Sequence, residues 1–463
     1  MSSEQREDGS RLKRQIGLAT AAAVVVGEVV GVGIFLTPAG MTKAVGSPFY
    51  LLVVWLLAGA MALCGALCFG ELAALRPEAG GGYVYLRDAY GPPLAFLYGW
   101  MGLLVLDPGL TAALAVGAAS YPGYALALSP PLVKALALSL IVLLAAVNVR
   151  GVRLGGLAVS WLTATKLVLL LFIALWGFGL RLGDWGRFTP FVAQRAGSAP
   201  LFVALAGALV SAFFSFGGWW DLSKLGGEVR DPARTLPRAY TYGLLAVVLV
   251  YILTSAAFVY LVPAERVTSG EAFAAQAGEA LFGRAGALVF TLVVVVAVVG
   301  SLASFTMSAP RVYFAMARDR LFFREAARLH PRYQTPARAV LIQAALASLL
   351  VLLGNFNDII AYFFFAVVLF IALAVAALFV LRLEGRSAGF RTPLYPVTPV
   401  VYLALTALLL FLLASERPKQ AFAGVAVVAL GLPFYYLVFR RGVGGAEERN
   451  HEAEERNHED DLD

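Results

Sequence analysis

The chain has 463 residues, 60% of them hydrophobic and 14% charged, against roughly 25% charged in an ordinary soluble domain. A mean hydropathy of +0.79 excludes a water-soluble globule. The net charge of +7 does not mark a nucleic-acid binder, because it sums two opposed parts: the tail from Gly442 carries −7, and the rest carries +14, mostly in loops beside apolar runs.

One transmembrane helix takes about 20 apolar residues. Apolar runs bounded by charged or Gly/Pro-rich joints fall at 16–44, 49–75, 92–120, 131–149, 155–180, 201–223, 239–262, 285–317, 338–354, 358–382, 396–414 and 420–440. The expectation is an all-α polytopic membrane protein with twelve transmembrane helices. The first run is too long for a cleaved signal peptide, and no small-residue cleavage site follows it. Sorting Lys and Arg onto alternate sides puts 26 on one face, Lys224 and Arg311 among them, and nine on the other, with Lys166 inside a run. That asymmetry predicts both termini in the cytoplasm, in the plasma membrane. Cys64 and Cys68 share one helical face, but two thiols without His or carboxylate neighbours read as packing residues rather than a metal site.

The breaks in the runs carry more information. The first run holds Gly27, Gly31 and Gly33, followed by Pro38; the sixth holds Gly217-Gly218 between Phe216 and Trp219. Gly27 and Gly31 also fit a GxxxG packing face. These runs open two successive groups of five, and Gly-interrupted helices at matching positions point to a secondary transporter built from inverted repeats. Unwound backbone there frees N–H and C=O groups for a small zwitterion.

Ionisable residues inside spans come next, since a charge at the bilayer centre costs at least about 3 kcal/mol. Glu28 lies roughly 18 Å into the first run. Lys166 is central in the fifth, and Asp107 precedes Pro108 in the third. No Gly-x-x-x-x-Gly-Lys-Ser/Thr loop suggests an ATP-driven pump. No histidine lies within a span to build a haem or nucleophilic site, and His330 sits in the basic stretch Leu329-His330-Pro331-Arg332. The expectation is therefore no enzyme and no cofactor or metal. A channel, with a ring of filter carbonyls in an oligomer, is the rival from another class.

Several ordered motifs identify a family. Val26-Gly27-Glu28-Val29-Val30-Gly31-Val32-Gly33-Ile34-Phe35 resembles the first helix of the amino acid, polyamine and organocation superfamily of transporters. Phe214-Ser215-Phe216-Gly217-Gly218-Trp219, with Gly227-Glu228-Val229-Arg230-Asp231-Pro232, resembles its L-type amino acid transporter branch. Gly70-Glu71-Leu72, Pro77-Glu78-Ala79-Gly80-Gly81-Gly82-Tyr83 and Arg311-Val312-Tyr313-Phe314-Ala315-Met316-Ala317-Arg318-Asp319 match in register, so the resemblance spans about residues 15–440.

The resemblance implies a 5+5 inverted repeat with discontinuous helices 1 and 6, plus two C-terminal helices. The chain then divides into a cytoplasmic N-terminus (1–15), a first five-helix repeat (16–180), a second (201–382), helices 11 and 12 (396–440) and an acidic tail (441–463). It also implies a central amino acid site. The N–H groups of Val32, Gly33 and Ile34 would bind the carboxylate, and the carbonyls of Val29, Phe214 and Gly217 the amino group. Gly31 and Gly218 complete the backbone set. Phe214 would act as an aromatic gate, with Phe216 and Trp219 shaping the pocket. Lys166 matches the fifth-helix lysine that occupies the place where sodium-driven cousins bind Na⁺, which implies sodium-independent transport by proton coupling or exchange. Eukaryotic relatives attach a second subunit through an extracellular cysteine. Cys64 and Cys68 are intramembrane, so no disulfide-linked subunit is expected.

Glu28 and Asp107 depart from the family pattern, which has a small polar residue at the first position. Two readings stay open. Glu28 pairs with Lys166 as a couple for proton-driven uptake, or the acids attract a cationic side chain such as that of arginine, lysine or a polyamine. The tail is a further departure: Glu447-Glu448-Arg449-Asn450-His451-Glu452-Ala453 is nearly repeated by Glu454-Glu455-Arg456-Asn457-His458-Glu459-Asp460, and its charge density predicts disorder.

Overall fold

The computed structural model describes residues 12–31, 33–126, 128–195, 197–263, 277–354, 356–386 and 388–439. Val32 and the duplicated acidic tail lie outside them. Among the described residues the chain is helical, with two isolated β-bridges and no strand. Its first helices are α1 (Leu18–Val29), α2 (Gly33–Val45), α3 (Pro48–Leu75), α4 (Gly82–Tyr90), α5 (Pro92–Met101) and α6 (Asp107–Ala125). Then follow α7 (Pro130–Arg150), α8 (Val152–Gly179), α9 (Leu201–Phe216) and α10 (Pro232–Leu261). The remainder is α11 (Gly286–Ser308), α12 (Pro310–Arg318), α13 (Ala337–Leu353), α14 (Phe356–Leu383), α15 (Val397–Glu416) and α16 (Pro418–Ala429). Among the described residues ten helical stretches are long and apolar enough to cross a bilayer, and the shorter apolar helices α1 and α13 fall in the first and ninth of the expected runs.

Local sequence explains where the rods start and where they deform. Pro48 opens α3 behind Ser47, whose side chain accepts from the Tyr50 N–H at 3.4 Å, and Pro at the first helical position loses no intrahelical bond. Between α5 and α6 the chain widens into one π-helical turn, Gly102–Leu106. Pro108 lacks the N–H that would reach the Leu104 carbonyl, and such a gap in the ladder favours a locally widened turn.

The centre of the bundle is α1, packed against α8, α10 and α11. Its small residues allow this: a Cβ on Gly27 would run into Ser304 and lie 3.0 Å from the Thr163 hydroxyl. Gly27 is thus a packing glycine of the kind the GxxxG reading describes.

One end of the bundle is closed by the motifs quoted above. Glu71 accepts from Arg382 at 2.6 and 2.8 Å and from the Thr392 N–H at 2.6 Å. Asp319 accepts from Tyr83 at 2.8 Å and Arg87 at 2.6 Å. Burial opposes the Arg87 charge, yet Asp319 and Asp88 raise its pKa above the ordinary value. Ile16 pairs with Val229 and Ala79 with Leu225 as β-bridges, so the segment before α1 and the loop before α4 both rest on the segment after Gly218.

Two bases sorted above as loop charges are not in loops. Arg311 is 0% exposed and forms a two-pronged pair with Glu228 at 3.0 and 3.1 Å. Lys224 is 3% exposed. Sequence sorting misplaced both because each has its acidic partner on a neighbouring turn or helix, which permits a charge to sit inside. Removing one partner of such a pair typically costs about 3–5 kcal/mol. Glu228→Ala should therefore lower the melting temperature of the detergent-purified protein markedly, whereas Glu325→Ala, at the exposed pair with Arg328, should change it little; equal melting temperatures for Glu228→Ala and the parent chain would contradict this.

Candidate functional site

The first helix ends at Val29 because Val30 takes φ −78° and ψ 79°, outside the helical region. Ending a helix there exposes carbonyls that no helical N–H can reach, and those of Gly27 and Val30 find side-chain donors. The Lys166 ammonium donates to the Gly27 carbonyl at 2.8 Å and to the Val30 carbonyl at 2.6 Å. Ser301 donates to the same two at 2.8 and 3.1 Å. A cation at a helix C-terminus is also favoured by the aligned peptide dipoles.

The second break follows Phe216. Gly217 is extended, with ψ 151°, and Gly218 takes φ +102°, a conformation that residues with a Cβ rarely adopt. Trp219–Lys224 then forms a 3₁₀ helix. The Tyr251 hydroxyl lies 2.8 Å from both the Val29 and the Ser215 carbonyls, its one proton shared between them. A single phenol thus ties the two breaks together. The half-helices meet at Gly33, where a Cβ would stand 2.9 Å from the Ser215 hydroxyl and 3.0 Å from its Cα.

Between the breaks lies a cavity of about 140 Å³. A single water needs about 10–15 Å³ on this measure, so there is room for a ligand on the order of ten heavy atoms. Of the expected residues, Glu28, Val29, Gly31, Gly33, Phe214, Gly217 and Gly218 line it. The first N–H groups of α2 have no intrahelical acceptor, which makes its N-terminus an anion site, whereas the Val29 carbonyl sits where a cation is favoured. Phe214 is 49% exposed and lies 5.6 Å from Phe364 across the cavity mouth.

Other expectations change. Ile34 is fully buried and off the cavity wall. Phe216 packs behind it, against Trp55 and Tyr251, and Trp219 against Phe69 and Tyr402. Trp220 lines the cavity instead. The reason is the 3₁₀ turn: with three residues per turn, Trp219 and Leu222 share the core face and Asp221 and Lys224 share another.

Asp107 also lies off the central cavity. It accepts from Tyr313 at 2.5 Å and stands 3.8 Å from Lys224, which itself pairs with Asp221 at 2.9 Å. Lys224 further lies 5.5 Å from the centre of the Phe305 ring. Asp107 therefore helps to hold the 3₁₀ segment in place rather than facing a ligand. Nor does Glu28 form an ion pair with Lys166: its carboxylate accepts from Ser308 at 2.9 Å, while the ammonium is spent on the α1 carbonyls. Ser301, Trp220, Asp221, Lys224 and Tyr251 were missed above. For Asp221 and Lys224 a signal existed, opposite charges three apart straight after the glycine break; for Tyr251 and Ser301 nothing separates them in sequence from other polar residues of apolar helices.

Gly33→Val should push α2 away from α9, and a displacement of about 1 Å at a site of this kind costs on the order of a hundredfold. Amino acid binding, read by thermal shift on monodisperse protein, should be lost; parental affinity in that variant would remove the broken helices from the site.

Residues 16–435 match the profile of the amino acid permease family. The chain is 32% identical over 435 residues to the serine/threonine exchanger SteT of Bacillus subtilis, covering 93% of this chain and 98% of that protein. It is 29% identical over 453 residues to the human b(0,+)-type amino acid transporter 1, covering 96% and 92%. With the human large neutral amino acids transporter small subunit 2 it shares 29% over 434 residues, covering 93% and 81%. The chain belongs to the amino acid permease family, in the L-type-like branch of the amino acid, polyamine and organocation superfamily.

Proposed function

We propose that this permease carries amino acids across the plasma membrane by alternating access, as a single chain of twelve spans in a 5+5 inverted repeat with both termini in the cytoplasm. The observation that carries the reading is the pair of helix breaks around one cavity. The α2 N-terminus offers N–H groups to a carboxylate. Across from it, Val29 lines the cavity at the C-terminal end of α1, where the aligned peptide dipoles favour an α-ammonium. A zwitterion is thereby recognised by backbone alone, which leaves its side chain to the rest of the wall.

The Bacillus relative is an exchanger, and the separation of Glu28 from Lys166 favours exchange over a proton shared by that couple. Lys166 supports independence from sodium. Its ammonium already fills the carbonyl set of Gly27 and Val30, so a monovalent cation placed there would meet an immobile positive charge. Cys64 and Cys68 lie within α3, which supports operation without a disulfide-linked subunit.

Reconstituted protein should accumulate labelled amino acid equally in sodium and in choline buffers, saturably, and faster when unlabelled amino acid is preloaded. Lys166→Met should lower uptake at least about tenfold, because losing a charged donor to a buried acceptor costs about 1.5–3 kcal/mol. A strict sodium requirement would overturn the assignment of Lys166, and unitary currents in place of saturable uptake would overturn the transporter reading.

A further inference from the structure

Two carboxylates, Glu28 and Asp221, line the central cavity, and no Lys, Arg or His is among the residues lining it. Otherwise the wall is backbone, the hydroxyls of Ser215 and Ser301, and apolar or aromatic side chains. Gly218 keeps the two acids on neighbouring parts of the wall, since a Cβ there would lie 3.1 Å from the Glu28 Cβ. Asp221 is held by Lys224 at 2.9 Å. Glu28 has the Ser308 hydroxyl at 2.9 Å and, among the described residues, no Lys or Arg nitrogen within ion-pair distance.

A count of charge around the cavity shows what is missing. Glu28, Asp107 and Asp221 face Lys166 and Lys224, so the assembled site lacks one positive charge. Buried charge without a partner is strongly unfavourable, and the deficit calls for one cation. A zwitterion adds no net charge and leaves the deficit in place. A proton on Glu28 also closes the count, but only a cationic ligand gives Glu28 and Asp221, the two acids on the cavity wall, a partner that they share. An amino acid with a positively charged side chain supplies the one missing charge. Its backbone groups engage the helix breaks, and its side chain lies along the wall that the two acids share.

We propose that Glu28 and Asp221 form the side-chain subsite of the cavity and select amino acids with a cationic side chain over neutral ones of the same shape. This rests on the cavity being the amino acid site. Asp107 acts one step removed, as a positioning residue that shares Lys224 with Asp221 and so holds the 3₁₀ segment where Asp221 faces the ligand.

The experiment uses the full chain in proteoliposomes, with substrate pairs that differ in charge but hardly in shape: L-arginine against L-citrulline, and L-lysine against L-norleucine. Each competes for uptake of labelled L-arginine, or of labelled L-leucine if arginine is not accumulated. The cationic member of each pair should compete at least about tenfold better, the lower end for a hydrogen bond to a charged group. Glu28→Gln and Asp221→Asn should each shrink that ratio towards one. Citrulline and norleucine competing as well as their cationic partners would overturn the subsite while keeping the amino acid site. So would a preference left unchanged in both variants, or one for the neutral partners that sharpens with acidity and disappears in Glu28→Gln, which would assign Glu28 to a proton. Accumulation of no amino acid of either class would overturn the transport reading and this inference with it. The comparison of pairs on the parent chain decides the matter even where a variant does not fold.

Discussion

Every backbone N–H and C=O at membrane depth needs a partner, because hydrocarbon offers none. This chain interrupts two helices there, and most of what surrounds the breaks exists to satisfy the groups they expose. Lys166 and Ser301 take the last carbonyls of α1, and Tyr251 takes one carbonyl from each break. The helix-α1 surface that receives these side chains is narrow enough only because Gly27 carries no Cβ. What remains without an intrahelical partner is the N-terminus of α2, which shares the cavity wall with the C-terminal end of α1.

The segment from Gly217 to Val229 links this chemistry to the closed end of the bundle. Trp220 and Asp221 face the cavity, and Lys224 ties the 3₁₀ turn to Asp107. A few residues on, the Lys224 carbonyl accepts from Gly80 at 3.0 Å, Leu225 bridges to Ala79, Glu228 pairs with Arg311, and Val229 bridges to Ile16. One short stretch therefore lines the cavity at its start and holds the segment around Ile16, the loop before α4 and α12 at its end. This is a contiguous chain of contacts between two sites, the kind of physical network through which binding and closure can be coupled.

The charges inside the bundle divide by task. Arg311 with Glu228 and Arg382 with Glu71 are complete pairs, and they hold helices together away from the cavity. The group around the cavity is incomplete. Asp107, Asp221 and Lys224 share one ammonium among two carboxylates, and Glu28 rests on a hydroxyl alone.

Composition and the spacing of apolar runs by themselves determined an all-helical, membrane-spanning chain, because about 20 apolar residues per span and so few charges admit no other solvent. The glycine clusters at 31–33 and 217–218 likewise located both breaks, since only backbone without a Cβ tolerates the conformation at Gly218 or the approach at Gly33. Which side chains serve those breaks was decided only by the tertiary structure. Lys166 and Glu28 have charges that suggest a pair, yet packing delivers the ammonium to the ends of α1 and the carboxylate to Ser308. Lys224 and Arg311 read as surface bases until their partners, three residues away in one case and on another helix in the other, are brought against them. Asp107 is not on the cavity wall, while Trp220 replaces Trp219 there through the phase of one 3₁₀ turn. Local pattern encodes how the chain meets lipid and where its backbone bends; apart from Asp221 with Lys224, the pairing of buried charges depends on contacts between residues 83 or more positions apart, and no local pattern carries that information.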